Sequence, residues 1–135
     1  MGNNKIRRMA KFEEIIDKVL EKEGGYVNDP DDAGGETYKG ISRKYNPDKE
    51  IWDIIDSVTA KYKRVSTINK YLGSNKKLTT LIKNLYKVKY WNPLKLDKEP
   101  NQRLAEQIFD NAVNMGVSKT KKMLERVRNE MATVK

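Results

Sequence analysis

Two residue types are missing altogether: the 135-residue chain has no Cys and no His. Without Cys there is no disulfide scaffold, no thiolate nucleophile and no Cys-ligated metal. Without His there is no Ser-His or Cys-His relay, no imidazole base and no HExxH zinc site. Catalysis by this chain therefore has to run on carboxylates, lysines, tyrosines or hydroxyls. Long apolar runs are missing too; none approaches the ~20 residues of a membrane span. The basic N-terminus (Lys5, Arg7, Arg8, Lys11) leads into Glu13 and Glu14, not into the apolar core of a signal peptide. Gly2 follows Met1, but Ile6 stands where a myristoylation signal needs Ser or Thr. These absences predict a protein made in the cytoplasm, without membrane insertion.

The length suits one domain with a real core, at 37% apolar and 35% charged residues. The net charge of +9 is unevenly placed. Residues 23–56 hold nine carboxylates and four basic side chains, whereas residues 57–96 hold ten basic side chains and no carboxylate. Such a stretch attracts a polyanion, whether nucleic acid, anionic lipid or wall polymer; it is equally the composition of a solvated lysine-rich surface.

Apolar periodicity predicts a mainly α fold. The first helix is expected over residues 5–22, with Met9, Phe12, Ile16, Val19 and Leu20 on one face and Gly24-Gly25 ending it. The second covers residues 79–90, with Leu81, Ile82, Leu85 and Tyr86 as its stripe and Asn92-Pro93 closing it. The third spans residues 101–115 on Leu104, Ala105, Ile108, Phe109, Ala112 and Val113, stopped by Gly116. Ser118 is the expected N-cap of a fourth, whose stripe is Met123, Leu124, Val127 and Met131. Shorter helices are expected around residues 49–57 and 65–72, and Trp52 reads as core.

Between Gly24 and Gly40 the chain changes character. Five of the eight glycines fall in these 17 residues, with Pro30 and four carboxylates, which predicts a structured loop or a small β-hairpin. Glu23, just before it, follows Ile16, Val19 and Leu20 at helical spacing, so it aligns with the buried stripe. Partial burial and the negative end of the helix dipole both disfavour a carboxylate anion, the condition for a proton donor near neutral pH. The competing reading is a frayed helix end with Glu23 in water. A Gly-rich loop folding back can set Asp32 and Thr37 opposite Glu23, and glycoside hydrolysis needs such a set of an acid and an opposing carboxylate. A calcium loop starting at Asp29 fits at Asp31 and Gly34 but fails at Ala33 and Gly40, so no metal and no cofactor is expected.

The string Glu23-Gly24-Gly25-Tyr26-Val27-Asn28-Asp29-Pro30, followed by Asp32, Gly34-Gly35, Thr37 and Gly40-Ile41, resembles the signature of glycoside hydrolase family 108. These are lysozyme-like N-acetylmuramidases of bacteria and phages. Leu85-Tyr86 with Tyr90-Trp91, and Asp110-Asn111-Ala112-Val113-Asn114-Met115-Gly116, resemble two further segments of the family, so the likeness runs from about Phe12 to Leu124. It implies a lysozyme-like helical domain over residues 1–135, with a cleft beside the Glu-Gly-Gly-Tyr turn and Glu23 as catalytic acid. The spacing of Glu23, Asp32 and Thr37 is similar to the acid, aspartate and threonine of phage-type lysozymes. Family members usually continue into a peptidoglycan-binding C-terminal region; this chain stops at Lys135, so that region is expected to be absent or truncated.

Tyr26, Tyr38, Tyr90 and Trp91 are candidate sugar-stacking rings, with core packing as the alternative. Asp110 and Asn114, four apart on one helix, are candidates to bind acetamido groups or to support the Gly-rich loop. The reading that joins these features is a peptidoglycan hydrolase cutting between N-acetylmuramic acid and N-acetylglucosamine at the cell wall. Two alternatives stand beside it: a non-catalytic basic module for nucleic acid or wall, and a virion component with a lysozyme-like domain. A free enzyme is expected to be a monomer.

Overall fold

The computed structural model describes residues 9–133. Element order is α1 (Glu13–Glu23), β1 (Tyr26–Asn28), β2 (Glu36–Tyr38), β3 (Ile41–Ser42), α2 (Lys49–Lys61), α3 (Val65–Ser74), α4 (Lys76–Tyr86), a π-helical turn (Lys87–Trp91), two 3-10 turns (Asn92–Leu94, Leu96–Lys98), α5 (Gln102–Met115) and α6 (Val117–Thr133). This is the mainly α, lysozyme-like arrangement expected, with a small sheet directly after the first helix. Among the described residues no helix is long and apolar enough to cross a membrane. The chain divides into two compact units: residues 16–85, here the hairpin unit, and the terminal unit, formed by residues 1–15 with 86–135.

In the hairpin unit the three strands form one antiparallel sheet in the order β1-β2-β3. Tyr26 pairs with Tyr38, Val27 with Thr37 and Asn28 with Glu36, and Thr37 then pairs with Ser42. Asp48 caps α2 by accepting the Ile51 N–H at 3.1 Å, and the helix buries Ile51, Trp52 and Ile55. The Trp52 indole N–H reaches the Asn46 carbonyl at 2.8 Å, so the buried ring leaves no polar atom unmatched. Asn75 joins α3 to α4: its side chain accepts the Leu78 N–H and its carbonyl the Thr79 N–H. That cap starts α4 at Lys76, three residues before the expected position. α4 is tied to α1 by Lys83 and Asp17 at 2.9 Å.

The terminal unit is built on an aromatic cluster. Phe12, Trp91 and Phe109 meet pairwise edge to face, with all three centroid separations at 5.6 Å. α5 begins where Asn101 accepts the Leu104 N–H, buries Ala105, Ile108, Phe109 and Ala112, and ends at Gly116, whose φ of 93° is open to glycine. Leu104, expected on that face, is exposed.

Three further expectations change. Residues 9–12 are not helical: the Ala10 N–H donates to the Glu99 carbonyl at 2.7 Å and the Lys11 N–H to Gln102 Oε1 at 2.6 Å. These long-range bonds take backbone donors that the expected helix would have bonded to carbonyls four residues earlier, and α1 starts at Glu13; the expected start over residues 5–8 lies outside the described residues. α6 is capped by Gly116, which accepts both the N–H and the hydroxyl of Thr120, so Ser118 sits inside its first turn. Val127 and Met131 of its supposed stripe are exposed, and the fully buried residue of α6 is Thr120.

Candidate active site

Glu23 is the last residue of α1 and is half-buried. Among the described residues nothing hydrogen-bonds or ion-pairs its carboxylate, which leaves both oxygens available. The chain reverses immediately after it. Gly24 takes φ 78°, the left-handed conformation that ends helices and that side chains resist. Gly25 then passes against α3 so closely that a β-carbon there would stand 2.5 Å from Asn69 Oδ1. The same Asn69 oxygen accepts the Tyr26 N–H at 2.8 Å. One side chain of α3 thus fixes the direction in which the chain leaves Glu23 and enters β1.

The loop between β1 and β2 is held by its own acids. Asp29 Oδ1 accepts the Asp31 N–H at 2.9 Å, and Asp32 Oδ1 accepts the Gly34 N–H at 3.1 Å. The Ser42 hydroxyl donates to the Gly34 carbonyl at 2.9 Å, tying the loop to β3. Asp32 is exposed at the tip. Asp32 and Thr37 converge at Gly34: a methyl built there would stand 3.8 Å from Asp32 Oδ1 and 4.0 Å from Thr37 Cγ2. Asp32 Oδ1 and the Thr37 methyl thus both flank Gly34, one from the loop and one from β2.

Strand alternation separates the remaining candidates of this unit. Side chains of successive strand residues point to opposite faces, so the paired Val27 and Thr37 occupy one face of the sheet. Tyr26, Asn28, Glu36 and Tyr38 occupy the other. The two tyrosines therefore cannot form a sugar-stacking wall on the Thr37 side. They are also buried, Tyr38 to 3% exposure, and burial pushes both phenols above their ordinary pKa.

The Tyr26 face holds a residue that sequence reasoning passed over. Glu36 accepts the Tyr26 hydroxyl and, at 2.8 Å, an Nη1–H of Arg43. Arg43 also makes a two-point contact with Asp56 of α2, both distances 2.8 Å, and lies over the Trp52 ring at 5.3 Å. Hydrogen bonds to Asp56, then to Glu36, hold the guanidinium's pKa above its ordinary value. The Glu36 contact and charge add to desolvation in raising Tyr26. Beside this network runs a groove of about 680 Å³ lined by Tyr26, Asn28, Glu36, Thr59, Tyr62 and Lys63, among others. The available signal for Glu36 was its place one residue from Thr37 within an alternating strand. Nothing in sequence spacing pointed to Asn69, 43 residues from the Tyr26 it binds.

The other candidates belong to the terminal unit. Trp91 has no exposed surface, packs on Phe12 and Phe109, and donates its indole N–H to Asp97 at 2.6 Å. It is a core residue, not a sugar platform. Tyr90 is half-buried, its ring 5.6 Å from that of Tyr86. Asp110 is half-buried and Asn114 exposed, one turn apart on α5; the Gly-rich loop takes its bonds from Asp29, Asp32 and Ser42 of its own unit. Lys95, Lys98, Lys121 and Arg128, outnumbering Glu99 and Glu125, line a second groove of about 520 Å³ over Leu96, Ile108 and Leu124. Among the described residues none of these four cations is in an ion pair, and no three His, Cys, Asp or Glu side chains gather as a metal site requires.

No curated protein and no solved structure matches the chain. The family model for glycosyl hydrolase 108 matches residues 16–116, a span that includes Glu23, the hairpin and all of α5. With three quarters of its length matched in this way, the chain belongs to glycosyl hydrolase family 108 and is a glycoside hydrolase.

Proposed function

We propose that this glycoside hydrolase is a peptidoglycan hydrolase, the substrate its family implies, and that it cuts the bond between N-acetylmuramic acid and N-acetylglucosamine. Glu23 protonates the departing glycosidic oxygen. Asp32 stabilises the oxocarbenium-like transition state or activates water, and Thr37 orients that water. The observation that carries this reading is the untethered, half-buried carboxyl of Glu23 at a helix end whose exit is fixed by Asn69. That Asp32 and Thr37 both flank Gly34 supports a joint role for them. In the terminal unit, Tyr90, Asp110 and Asn114 are the proposed glycan contacts.

The unpaired cations around the second groove favour electrostatic retention on an anionic wall. The test of the catalytic assignment is Glu23→Gln, read by turbidity loss of a cell-wall suspension and by mass spectrometry of released muropeptides. Wild-type protein is expected to yield reducing-end muramic acid. The variant is expected to fold with an unchanged unfolding midpoint and to release under 1%, roughly, of the wild-type product, the scale of losing a general acid. Anhydro-muramic products, or free peptides, overturn the reaction assigned here.

A further inference from the structure

Glycan cleavage leaves one surface of the hairpin unit without a use: the corner where α2 ends and α3 begins. Residues 57–96 carry ten basic side chains and no carboxylate, and four of the ten stand here. Lys61 is the last residue of α2, Lys63 and Arg64 lie in the link, and Lys70 is on α3. All four are exposed, and among the described residues none is in an ion pair. Arg64 makes no side-chain cap bond, and Lys63 gives one long bond, 3.4 Å, to the Thr59 carbonyl. Like charges gathered without counter-ions repel one another, and an anion among them relieves that repulsion.

The same corner presents an open aromatic stack. Tyr62, which follows α2, lies flat on Tyr71 of α3, the ring centroids 4.5 Å apart and the planes within 8°. That contact also brings Lys70, the neighbour of Tyr71, to the α2 end. With one ring face covered, Tyr71 is still 44% exposed, so its accessible surface is the outer face and the rim. Tyr62 and Lys63 border the groove beside β1–β2, whereas Lys61, Arg64, Lys70 and Tyr71 do not, so the open end of the stack belongs to a different surface. Two rings already held parallel accept a third planar ring with little further ordering.

We propose that this corner binds single-stranded nucleic acid, one base stacked on the outer face of Tyr71 and the adjoining phosphates on Lys61, Lys63, Arg64 and Lys70. Only this class of ligand uses both features. A phosphodiester polymer without bases engages the cations and leaves the ring idle. A neutral sugar engages the ring and leaves the cations idle. A duplex keeps its bases stacked on one another and offers only its backbone, whereas an unpaired base has a free face whatever its sequence. Binding here would be a further activity of the chain, independent of the roles given to Glu23, Asp32 and Thr37.

The test uses the intact protein and fluorescence anisotropy of a labelled oligothymidylate of about 12 nucleotides, within the range of a single site. Tyr71→Ala is expected to weaken binding about tenfold, the scale of one stacked base, and Tyr71→Phe to keep wild-type affinity. Arg64→Gln with Lys70→Gln is expected to flatten the dependence of log affinity on log salt by about 1.4, two phosphate contacts on a single strand. Unfolding midpoints of these variants show that the corner is intact. Lys121→Gln with Arg128→Gln, in the terminal unit, is expected to leave the affinity unchanged. Inorganic polyphosphate and a duplex of the same length are expected to bind more weakly and without regard to Tyr71. Equal affinity of Tyr71→Ala and wild type overturns the proposal, because the attraction is then charge alone. So does an equal loss from the terminal-unit pair, or displacement of the strand by a soluble N-acetylglucosamine tetramer, which would give the ring to a sugar.

Discussion

Asn69 occupies the space that a side chain at Gly25 would need, and its Oδ1 holds the backbone of the next residue. Gly25→Ala is therefore expected to push the turn off α3. A loss of about 1–3 kcal/mol follows for an orphaned Tyr26 N–H, together with reduced activity. Asn69→Ala loses the same hydrogen bond without the clash. In the double variant the clash is gone, so its destabilisation is expected to fall well short of the two single losses combined. A denaturant double-mutant cycle measures this; simple additivity shows that the two residues do not act on each other.

Alkaline pH reports on the sheet. Tyr26 and Tyr38 have folded-state pKa values raised above the ordinary 10.0, by burial first and, at Tyr26, by Glu36 as well. A raised phenol is still protonated in the folded chain when the unfolded chain has already lost its proton. The stability this provides is complete below pH 10 and is lost as the pH climbs from there through the folded values. Unfolding midpoints are expected to drop over that range, less steeply in Tyr26→Phe, while phenolate absorbance appears late for Tyr26 and Tyr38.

Trp91→Ala separates a core ring from a substrate platform. A core role predicts a cost of about 3–5 kcal/mol in denaturant unfolding, because the Phe12 and Phe109 edges lose their partner. A variant of unchanged stability and raised KM would return Trp91 to the substrate.

The cationic groove predicts a salt dependence. Wall binding and turbidity loss should both decline as ionic strength rises past physiological values, where charges more than about 8 Å apart are already largely screened. Lys121→Glu with Arg128→Glu should lower binding at low salt and flatten that dependence, with hydrolysis of a short neutral oligosaccharide unchanged. Equal salt slopes in variant and wild type would take the groove out of wall retention.

Most helices and the hairpin were legible because their signals are local: Asp48, Asn101 and Gly116 cap or stop elements within four residues of themselves. The Glu23 turn was legible for the same reason, since glycines at 24 and 25 announce a reversal. What escaped was set by long-range bonds. Ala10 and Lys11 are drawn out of the helix by Glu99 and Gln102, about ninety residues away. Tyr38 and Trp91 have the composition of a sugar wall, and only packing reveals that they face inward, while strand pairing turns Tyr26 away from the Thr37 side. Glu36 escaped because its meaning depends on Arg43 and Asp56, which only the folded sheet and α2 bring together.

The π-helical turn at Lys87–Trp91 closes through the Asn92 N–H to the Lys87 carbonyl, one residue wider than an α-helical turn. Such a turn behaves as a length gauge. Removing one residue between Lys87 and Tyr90 would restore ordinary winding over nearly the same rotation and keep the indole on the Phe12 and Phe109 edges, whereas adding one would swing it by about 100°. The stretch thus has room for one residue fewer but not for one more, and the identity of exposed Val88 matters less than that count.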